Sequence, residues 1–420
     1  MHNPTAVDHA MPSVTINRRV LHLGGYDPMP APVFFARFNR ELARFATCWS
    51  LTASTRDYAE TETSASWTVD VAGPGWQVTT RHELVRWDDV IAAHRAGSVT
   101  ARLTAGWAAF FDFLRHGALG RYLSVAWRYA GFFLFPYLAM ALALAGSVLV
   151  AGWILPLVGV PQPLGWLAGL VAGLGLVVWL ASHTVIGHLL DDWIFASEIV
   201  RATDPVIAAR LKAAGADLAA TPADVDCLVV GHSLGALLAA ELLDQALATP
   251  HVSGKRRFGY LALGSSLLKI ALHGKATGLK ARLQRLVASG RIDWTEYQSL
   301  SDVMNFYKSD PVRVLGLEGP SPLVRQVRFS RMLKPAYYRT IKLDFFRLHC
   351  QFISGNDLRA PFDYLMTICG PFSPVALATS KDGAQGWIGP GGELTLSDPS
   401  VLLAGQDRSG STSAKDGSAP

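Results

Sequence analysis

One serine of this sequence stands where it could act as a nucleophile. Ser233 is the centre of the pentapeptide Gly-His-Ser-Leu-Gly at residues 231–235. The two glycines leave room for a sharp turn, so the serine hydroxyl can project at the edge of a sheet. Such a hydroxyl attacks a carbonyl when a histidine takes its proton and an acid orients that histidine. The alternative is an ordinary turn whose serine caps a helix.

The elements on either side of this turn would hold the serine in place. Residues 226–230 form a largely apolar run of strand length, typical of a parallel strand covered on both faces. Residues 236–247 are strong helix formers with apolar positions at helical spacing. The N-terminus of that helix would direct backbone N–H groups at developing negative charge.

In this stretch the sequence resembles the α/β-hydrolase superfamily, and residues 231–235 resemble the nucleophile elbow of its lipase and esterase branch. The resemblance is specific over about residues 225–266 and weaker elsewhere. It implies an α/β fold, with a mostly parallel sheet flanked by helices. It also implies that Ser233 is the nucleophile and that an acid and then a histidine follow it along the chain.

This chain order points to the other candidate residues. Asp302 lies in a loop after a predicted strand at residues 291–297, and Asp310 is the rival acid; either could instead cap a helix. Of the 12 histidines, His349 alone follows Asp302. The resemblance implies that His349 deprotonates Ser233 while Asp302 fixes its tautomer. Taken alone, a histidine among aromatic residues is more often part of a core.

Backbone N–H groups must hold the oxyanion that forms when a serine attacks an ester. A predicted strand at residues 19–23 ends in Gly-Gly-Tyr, which only approximates the His-Gly-Gly pattern of the superfamily. The resemblance implies that Leu234 supplies one N–H and that Gly25 or Tyr26 supplies the other. The alternative for this loop is a tight turn between a strand and a helix.

Composition excludes several classes of function. The net charge of +5 includes no basic run interleaved with aromatic residues, so nucleic-acid binding is not supported. No nucleotide motif or metal-ligand spacing is present, so we expect no cofactor and no metal. The four cysteines are widely spaced and are interpreted as reduced thiols, with two disulfides as the alternative.

A long apolar window separates the first strands from Ser233. Residues 129–190 contain no Asp, Glu, Lys or Arg. Within them, residues 132–155 and 164–185 are each long enough to cross a hydrocarbon layer of roughly 30 Å. Three prolines interrupt the chain between them, so the window predicts a transmembrane hairpin. The alternative is a pair of buried helices in a soluble core.

Small residues at four-residue spacing suggest how this hairpin packs. Glycines recur on one face of the second span, and small residues lie on a comparable face of the first. The second-span positions are Gly165, Gly169 and Gly173, and the predicted partners are Ala139, Ala143 and Gly146.

The charges that flank the window predict its orientation. Arg115, Arg121 and Arg128 precede the first span, whereas the loop between the spans has no Lys or Arg. Both outer ends should therefore be cytoplasmic, so that the two halves of the hydrolase domain meet on one side of the membrane. The aromatic and arginine-bearing segment at residues 101–128 either lies in the membrane interface or packs onto the domain.

These features predict six segments. They are a flexible N-terminus (1–17), the first part of a hydrolase domain (18–100), a juxtamembrane helix (101–128), the hairpin (129–190), the part with the catalytic residues (191–374) and a disordered tail (375–420).

The sequence thus predicts a multi-pass membrane protein that is a serine hydrolase. Its predicted partners are the lipid bilayer and an acyl-ester substrate, with a lipid ester indicated by location alone. The alternatives are an acyltransferase with the same residues and a catalytically silent scaffold. The acyl chain, the head group and the oligomeric state are not indicated.

Overall fold

A single mixed sheet organises the computed structural model, which describes residues 14–249, 256–396 and 398–403. The strands are β1 (Val14–Leu23), β2 (Thr52–Glu60), β3 (Ser64–Gly73), β4 (Trp76–Val85), β5 (Asp226–His232), β6 (Phe258–Leu263), β7 (Ile292–Ser299) and β8 (Leu323–Val327). Their order across the sheet is β2-β3-β4-β1-β5-β6-β7-β8. Neighbours from β4 to β8 run parallel, whereas β3 is antiparallel to both β2 and β4.

Helices cover both faces of this sheet. Those before β5 are α1 (Ala31–Trp49), α2 (Asp88–His94), α3 (Val99–Arg115), α4 (Ala118–Ile154), α5 (Gln162–His183), α6 (Val185–Ile199) and α7 (Pro205–Ala219). Those after β5 are α8 (Gly235–Leu247), α9 (Leu267–Ala271), α10 (Thr277–Ala288), α11 (Pro311–Leu315), α12 (Phe329–Met332), α13 (Pro335–Ile341), α14 (Phe345–Cys350), α15 (Tyr364–Cys369) and α16 (Pro374–Thr379). The predicted α/β class with a mostly parallel sheet flanked by helices is confirmed.

The central strands are apolar because each of their faces is covered. Leu21 and Val229 belong to the core on one face, and Val20 and Val230 to the core on the other. Side chains alternate between the faces of a strand, so a strand that is buried on both sides has a continuous apolar run. The apolar run before Ser233 is therefore a consequence of the position of β5 in the middle of the sheet.

Strands from both sides of the apolar window enter one sheet. β1 pairs with β4 on one side and with β5 on the other, although the whole hairpin lies between β4 and β5 in the chain. The window is thus an insertion whose two ends return to the same domain.

The insertion consists of two long apolar helices, α4 and α5, joined through a 3₁₀ turn at Leu155–Val158. Both helices are long and apolar enough to cross a membrane. The first half of α4 packs on the α/β domain, where Tyr129, Phe133 and Tyr137 are buried. Beyond that half, large apolar side chains of both helices are exposed, from Leu138 on α4 to Trp179 on α5.

Glycines of α5 lie directly against α4, as predicted. A Cβ atom on Gly169 would lie 2.7 Å from the Ser147 carbonyl oxygen, and one on Gly173 would lie 2.9 Å from Leu144 Cδ1. The prediction is wrong for Gly146, around which nothing lies within 4 Å of such an atom. The turn between the helices sets the antiparallel register, and this register brings Leu144 and Ser147, rather than Gly146, to the glycines.

The predicted juxtamembrane helix at residues 101–128 is divided. α3 ends at Arg115 and α4 begins at Ala118, with Gly117 between them at a φ of 74°. Phe113 is buried in the domain core, and a Cβ atom on Gly106 would lie 2.9 Å from Leu190 Cδ2 on α6. The buried residues of this segment thus pack onto the domain, as one of the two alternatives predicted, whereas Trp127 near its end is exposed.

Both predicted flexible ends need correction where the structure describes them. Residues 14–17 belong to β1, and residues 1–13 lie outside the described residues. The prediction of a disordered tail from residue 375 is wrong for residues 375–396 and 398–403, because Leu377 and Ile388 are buried and Trp76 Nε1 donates to the Gly392 carbonyl at 2.9 Å. These apolar residues pack singly and so produce no periodic pattern. Residues 404–420 lie outside the described residues.

Candidate active site

Ser233 lies in a strained turn between β5 and α8. Its φ is 56°, a left-handed conformation that residues other than glycine rarely adopt. The Ser233 N–H donates to the Leu263 carbonyl at 3.0 Å, which ties the turn to the end of β6. The serine is thereby placed at the carboxyl edge of the parallel strands, where open α/β sheets bind ligands.

The glycines on either side of this serine are required by close backbone contacts. A Cβ atom on Gly231 would lie 2.7 Å from the Ala236 nitrogen, and one on Gly235 would lie 2.7 Å from the Leu23 carbonyl carbon. Both distances are well inside van der Waals contact, so no side chain fits at either position. The Gly-x-Ser-x-Gly pattern therefore has a steric cause in this fold.

The loop after β1 lies directly against the serine. A Cβ atom on Gly25 would lie 2.9 Å from Ser233 Cβ. Among the described residues, the backbone N–H groups of Gly25, Tyr26 and Leu234 donate no hydrogen bond. Of the residues that the resemblance suggested for an oxyanion hole, Leu234 follows Ser233 in the chain, Gly25 packs against it and Tyr26 lines the same cavity.

Asp302 and His349 are brought together although they lie 47 positions apart. His349 Nδ1 is 2.8 Å from Asp302 Oδ2, and Asp302 Oδ1 accepts the Met304 N–H at 2.8 Å. Both side chains are buried. The Nδ1 proton therefore points to the carboxylate, which leaves Nε2 as the unprotonated nitrogen of the neutral ring. That Nε2 is buried and has no hydrogen-bond partner among the described residues.

The rival acid, Asp310, has a different role. Its Oδ1 accepts the N–H groups of Val312 and Arg313 at 2.9 Å and 3.2 Å, and thereby caps α11. The carboxylate also forms an ion pair with the Arg313 side chain. Asp310 thus has the capping function that the sequence left open, and it makes no contact with His349 within the described residues.

Ser233 and His349 line one cavity. The cavity volume is about 80 Å³, several times what one water molecule needs. In the described part of the chain, Ser233 Oγ hydrogen-bonds to Ser266 Oγ at 3.4 Å and not to His349 Nε2. Apolar residues that line the cavity include Met29, Phe34, Trp87, Tyr129, Phe132, Leu189, Met304, Phe346 and Ile353.

Two residues of the site were not predicted from the sequence. His232 Nε2 donates to the His349 carbonyl at 3.1 Å, and the two rings lie 4.6 Å apart. Burial lowers the pKa of His232 well below its ordinary value, so the ring stays neutral. The Ser266 N–H donates to the Ser233 carbonyl at 3.0 Å. The position of Ser266 just after β6 was the available signal, because parallel strands end at the same edge of a sheet.

Charged groups also line the cavity. Arg37 donates to the Cys350 carbonyl at 3.2 Å and to Ser354 Oγ at 3.1 Å. Asp27 lies in the same cavity, and burial raises the pKa of this carboxyl group above its ordinary value. Asp192 forms an ion pair with the buried Lys269. The cavity thus combines an apolar wall with a small number of polar groups, as ligand sites usually do.

One cluster of the described residues has the side chains of a metal site, formed by Asp112, His116 and His273. His116 Nδ1 donates to the Asp112 carbonyl at 2.8 Å, so this nitrogen carries a proton. His273 Nδ1 accepts the Lys275 N–H at 3.2 Å, which puts the ring proton on Nε2, 3.4 Å from Asp112 Oδ2. In this arrangement the nitrogens nearest the carboxylate carry protons, and His273 Nε2 makes no hydrogen bond among the described residues.

The arrangement around Ser233 has the groups that acyl transfer needs. They are a hydroxyl on a strained turn, an imidazole whose free nitrogen lies at the same cavity, a buried carboxylate that orients this imidazole and unpaired N–H groups beside the hydroxyl.

Comparison of the chain with protein-family models, curated proteins and solved structures gives no match.

Proposed function

We propose that this protein is a membrane-anchored serine hydrolase of the α/β-hydrolase type that cleaves an acyl ester. Ser233 is the nucleophile, His349 the general base and Asp302 the acid that orients it. The observation that carries this proposal is the 2.8 Å contact between His349 and Asp302, which leaves His349 Nε2 unpartnered at the cavity of Ser233. This is the constellation expected of a nucleophile with an oriented base.

The reaction begins when Ser233 Oγ turns from Ser266 toward His349. Oγ attacks the ester carbonyl carbon while His349 Nε2 takes its proton, and Asp302 stabilises the imidazolium that forms. The N–H groups of Leu234 and of Gly25 or Tyr26 donate to the oxyanion. Collapse of the tetrahedral intermediate releases the alcohol, which takes the proton from His349. Water then hydrolyses the acyl-enzyme by the same steps.

The wall of the cavity favours an ester with an apolar acyl group. Tyr129 and Phe132 come from the half of α4 that packs on the domain, and Leu189 comes from α6, the helix that follows the hairpin. An acyl chain in the cavity would therefore lie against the part of the domain nearest the apolar helices. A lipid or another long-chain ester in the bilayer is the substrate class that this location supports.

Labelling with a serine-reactive fluorophosphonate tests the proposal. We expect the wild-type protein to be labelled and Ser233→Ala to lose the label entirely. Asp302→Asn and His349→Ala should slow labelling by about 10²-fold or more, because the hydroxyl loses its base. Ser266→Ala is the matched control, since its hydroxyl lies in the same cavity, and should retain the label. Undiminished labelling of Ser233→Ala would contradict the mechanism.

A further inference from the structure

Four large apolar side chains are exposed next to residues of the candidate site. They are Trp127 on α4 (69% exposed), Leu300 after β7 (47%), and Leu343 and Phe345 before and at the start of α14 (81% and 42%). We call these four residues the mouth rim. Single exposed apolar residues are ordinary, whereas contiguous exposed apolar groups mark interaction surfaces.

Each member of the mouth rim adjoins the site in the chain. Phe345 precedes Phe346, which lines the cavity, and α14 also carries His349. Leu300 is two residues before Asp302, and its carbonyl accepts the Arg128 Nη1 donor at 2.9 Å, which ties that loop to the start of α4. Members of the mouth rim thus lie on the segments that carry Asp302 and His349 and on α4, the first helix of the hairpin.

The mouth rim also lies near the point where the hairpin leaves the domain. The Phe346 ring is 5.3 Å from the ring of His188, which lies on the first turn of α6, five residues after the end of α5. Trp127 lies on the half of α4 that packs on the domain, between the buried residues Tyr122 and Tyr129. A bilayer that holds the exposed halves of α4 and α5 would therefore have its surface near these residues.

The charges around the mouth rim fit a lipid surface. Lys342 and Arg347 are exposed on either side of Leu343 and Phe345. Arg347 forms an ion pair at 3.3 Å with Asp344, which lies between the two apolar residues. The Arg128 guanidinium lies over the Trp127 ring at 5.5 Å. Aromatic and aliphatic side chains mixed with Lys and Arg are typical of protein surfaces at the boundary between acyl chains and head groups.

We propose that the mouth rim lies in the interface of the bilayer that holds the hairpin, so that the cavity opens toward lipid. The ester then reaches Ser233 from the bilayer without first passing through water. The route of the substrate depends on the proposed function, whereas the contact between the rim and the bilayer does not. One experiment measures the contact and a second measures the route.

The contact is measured with an environment-sensitive fluorophore on Leu343→Cys, in the full chain reconstituted into phosphatidylcholine and phosphatidylglycerol vesicles. Val206→Cys is the matched control, because Val206 is 49% exposed and follows the far end of α6, about 22 Å from the hairpin along that helix. Doxyl-labelled lipid should quench the probe at 343 about fivefold more than the probe at 206. The labelled wild type gives the background from native cysteines. Equal quenching at 343 and 206 would overturn the contact.

The route is measured with Leu343→Ser/Phe345→Ser and with Val206→Ser as the control. We expect the double variant to hydrolyse a long-chain ester embedded in vesicles about tenfold more slowly, with hydrolysis of a water-soluble short-chain ester within about twofold of wild type. An equal loss on both esters, or no loss on either, would overturn the route. If the wild type hydrolyses neither ester, the proposed function fails, and the quenching experiment still decides the membrane contact.

Discussion

At the residue scale, His349 is fixed from two sides by groups that do not take part in bond breaking. Asp302 holds its Nδ1, and His232 donates to its backbone carbonyl while lying beside the ring. In the proposed mechanism, this orientation means that the base loses little entropy when the substrate arrives. Because His232 stays neutral, it adds no charge that would oppose formation of the imidazolium on His349.

Glu296 on β7 predicts how the stability of the domain depends on pH. Its side chain is buried, Oε2 has no hydrogen-bond partner among the described residues, and burial raises the pKa of the carboxyl group to about 8. The unfolded chain, with an ordinary carboxyl pKa near 4.5, binds fewer protons than the folded chain between these values. The contribution of Glu296 to the free energy of unfolding is therefore largest at low pH and falls as the pH rises toward 8.

Glu296→Gln should remove this dependence. Between about pH 6.5 and about pH 9 we expect the wild type to lose roughly 2 kcal/mol of unfolding free energy and the variant to lose much less. Denaturant unfolding across this range measures the difference. Glu318→Gln changes an exposed residue, and its unfolding free energy should depend on pH as that of the wild type does. If the unfolding free energy of Glu296→Gln fell with pH as steeply as that of the wild type, the buried carboxyl group would not be the cause of the pH dependence.

Some residues of the site have a recognisable sequence pattern and could be predicted. Others belong to the site only because the fold brings them close to Ser233 or His349. Ser233 is marked by the two glycines, and His349 by the chain order that the family resemblance implies, so both are candidates before the structure is known. Asp302 and Asp310 follow the same strand and differ only in which one reaches the imidazole, which is a property of the folded loop. Ser266 has an ordinary sequence context and enters the site only because β6 lies beside β5.

At the element scale, the loop after β1 and the turn after β5 depend on each other. Gly24 and Gly25 both have ordinary φ angles, so they differ mainly in the space around them. A Cβ atom on Gly25 would lie 2.9 Å from Ser233 Cβ, whereas one on Gly24 would have nothing within 4 Å. The pair of glycines therefore offers a substitution and its control in adjacent positions.

Gly25→Ala should displace the loop from Ser233 and move the N–H groups of Gly25 and Tyr26. We expect fluorophosphonate labelling of Ser233 to slow by about tenfold or more, because a lost oxyanion donor costs about 10²–10³ in rate. Gly24→Ala should label within about twofold of the wild type. If the two variants label at equal rates, the loop does not contribute to the reaction.

The contact between α4 and α5 can be tested with another pair of glycines. A Cβ atom on Gly169 would lie 2.7 Å from both Ser147 O and Val148 Cα, whereas one on Gly175 would have nothing within 4 Å. Alanine raises intrinsic helix stability at both sites by about 1 kcal/mol. Gly169→Ala should nevertheless lower the free energy of unfolding of the protein in detergent by about 1–2 kcal/mol. Gly175→Ala should leave this free energy unchanged or raise it. A lower stability of Gly175→Ala alone would place the contact elsewhere.

The elements were predicted best where periodicity or apolar length alone defines them. The apolar β5 and the two hairpin helices have such patterns. The register of α4 against α5 has no sequence pattern, since small residues occur on more than one face of α4. The segment after residue 374 has no periodic apolar pattern and was not predicted to be ordered. It is held in place by single buried residues such as Leu377.

At the scale of the whole molecule, the sheet restricts how the chain can meet a membrane. β1 to β4 precede the hairpin and β5 to β8 follow it, yet all eight strands form one sheet. Both ends of the hairpin must therefore be on one side of any bilayer that it enters, and the turn at Leu155–Val158 must be at the other end of the helices. Arg115, Arg121 and Arg128 predict which side this is, because arginines before a span are typical of a cytoplasmic flank.

Accessible cysteines should reveal this topology in intact cells that express the protein. Val158→Cys places a thiol in the turn, where Val158 is 74% exposed, and Val206→Cys places one on α7 of the domain. We expect a membrane-impermeant maleimide to label position 158 from outside the cell and position 206 only after permeabilisation, because a hairpin whose flanks carry arginines keeps its domain inside. The wild type controls for the native cysteines. Labelling of both positions only after lysis would show that the hairpin does not reach the outer surface, and labelling of both from outside would invert the orientation.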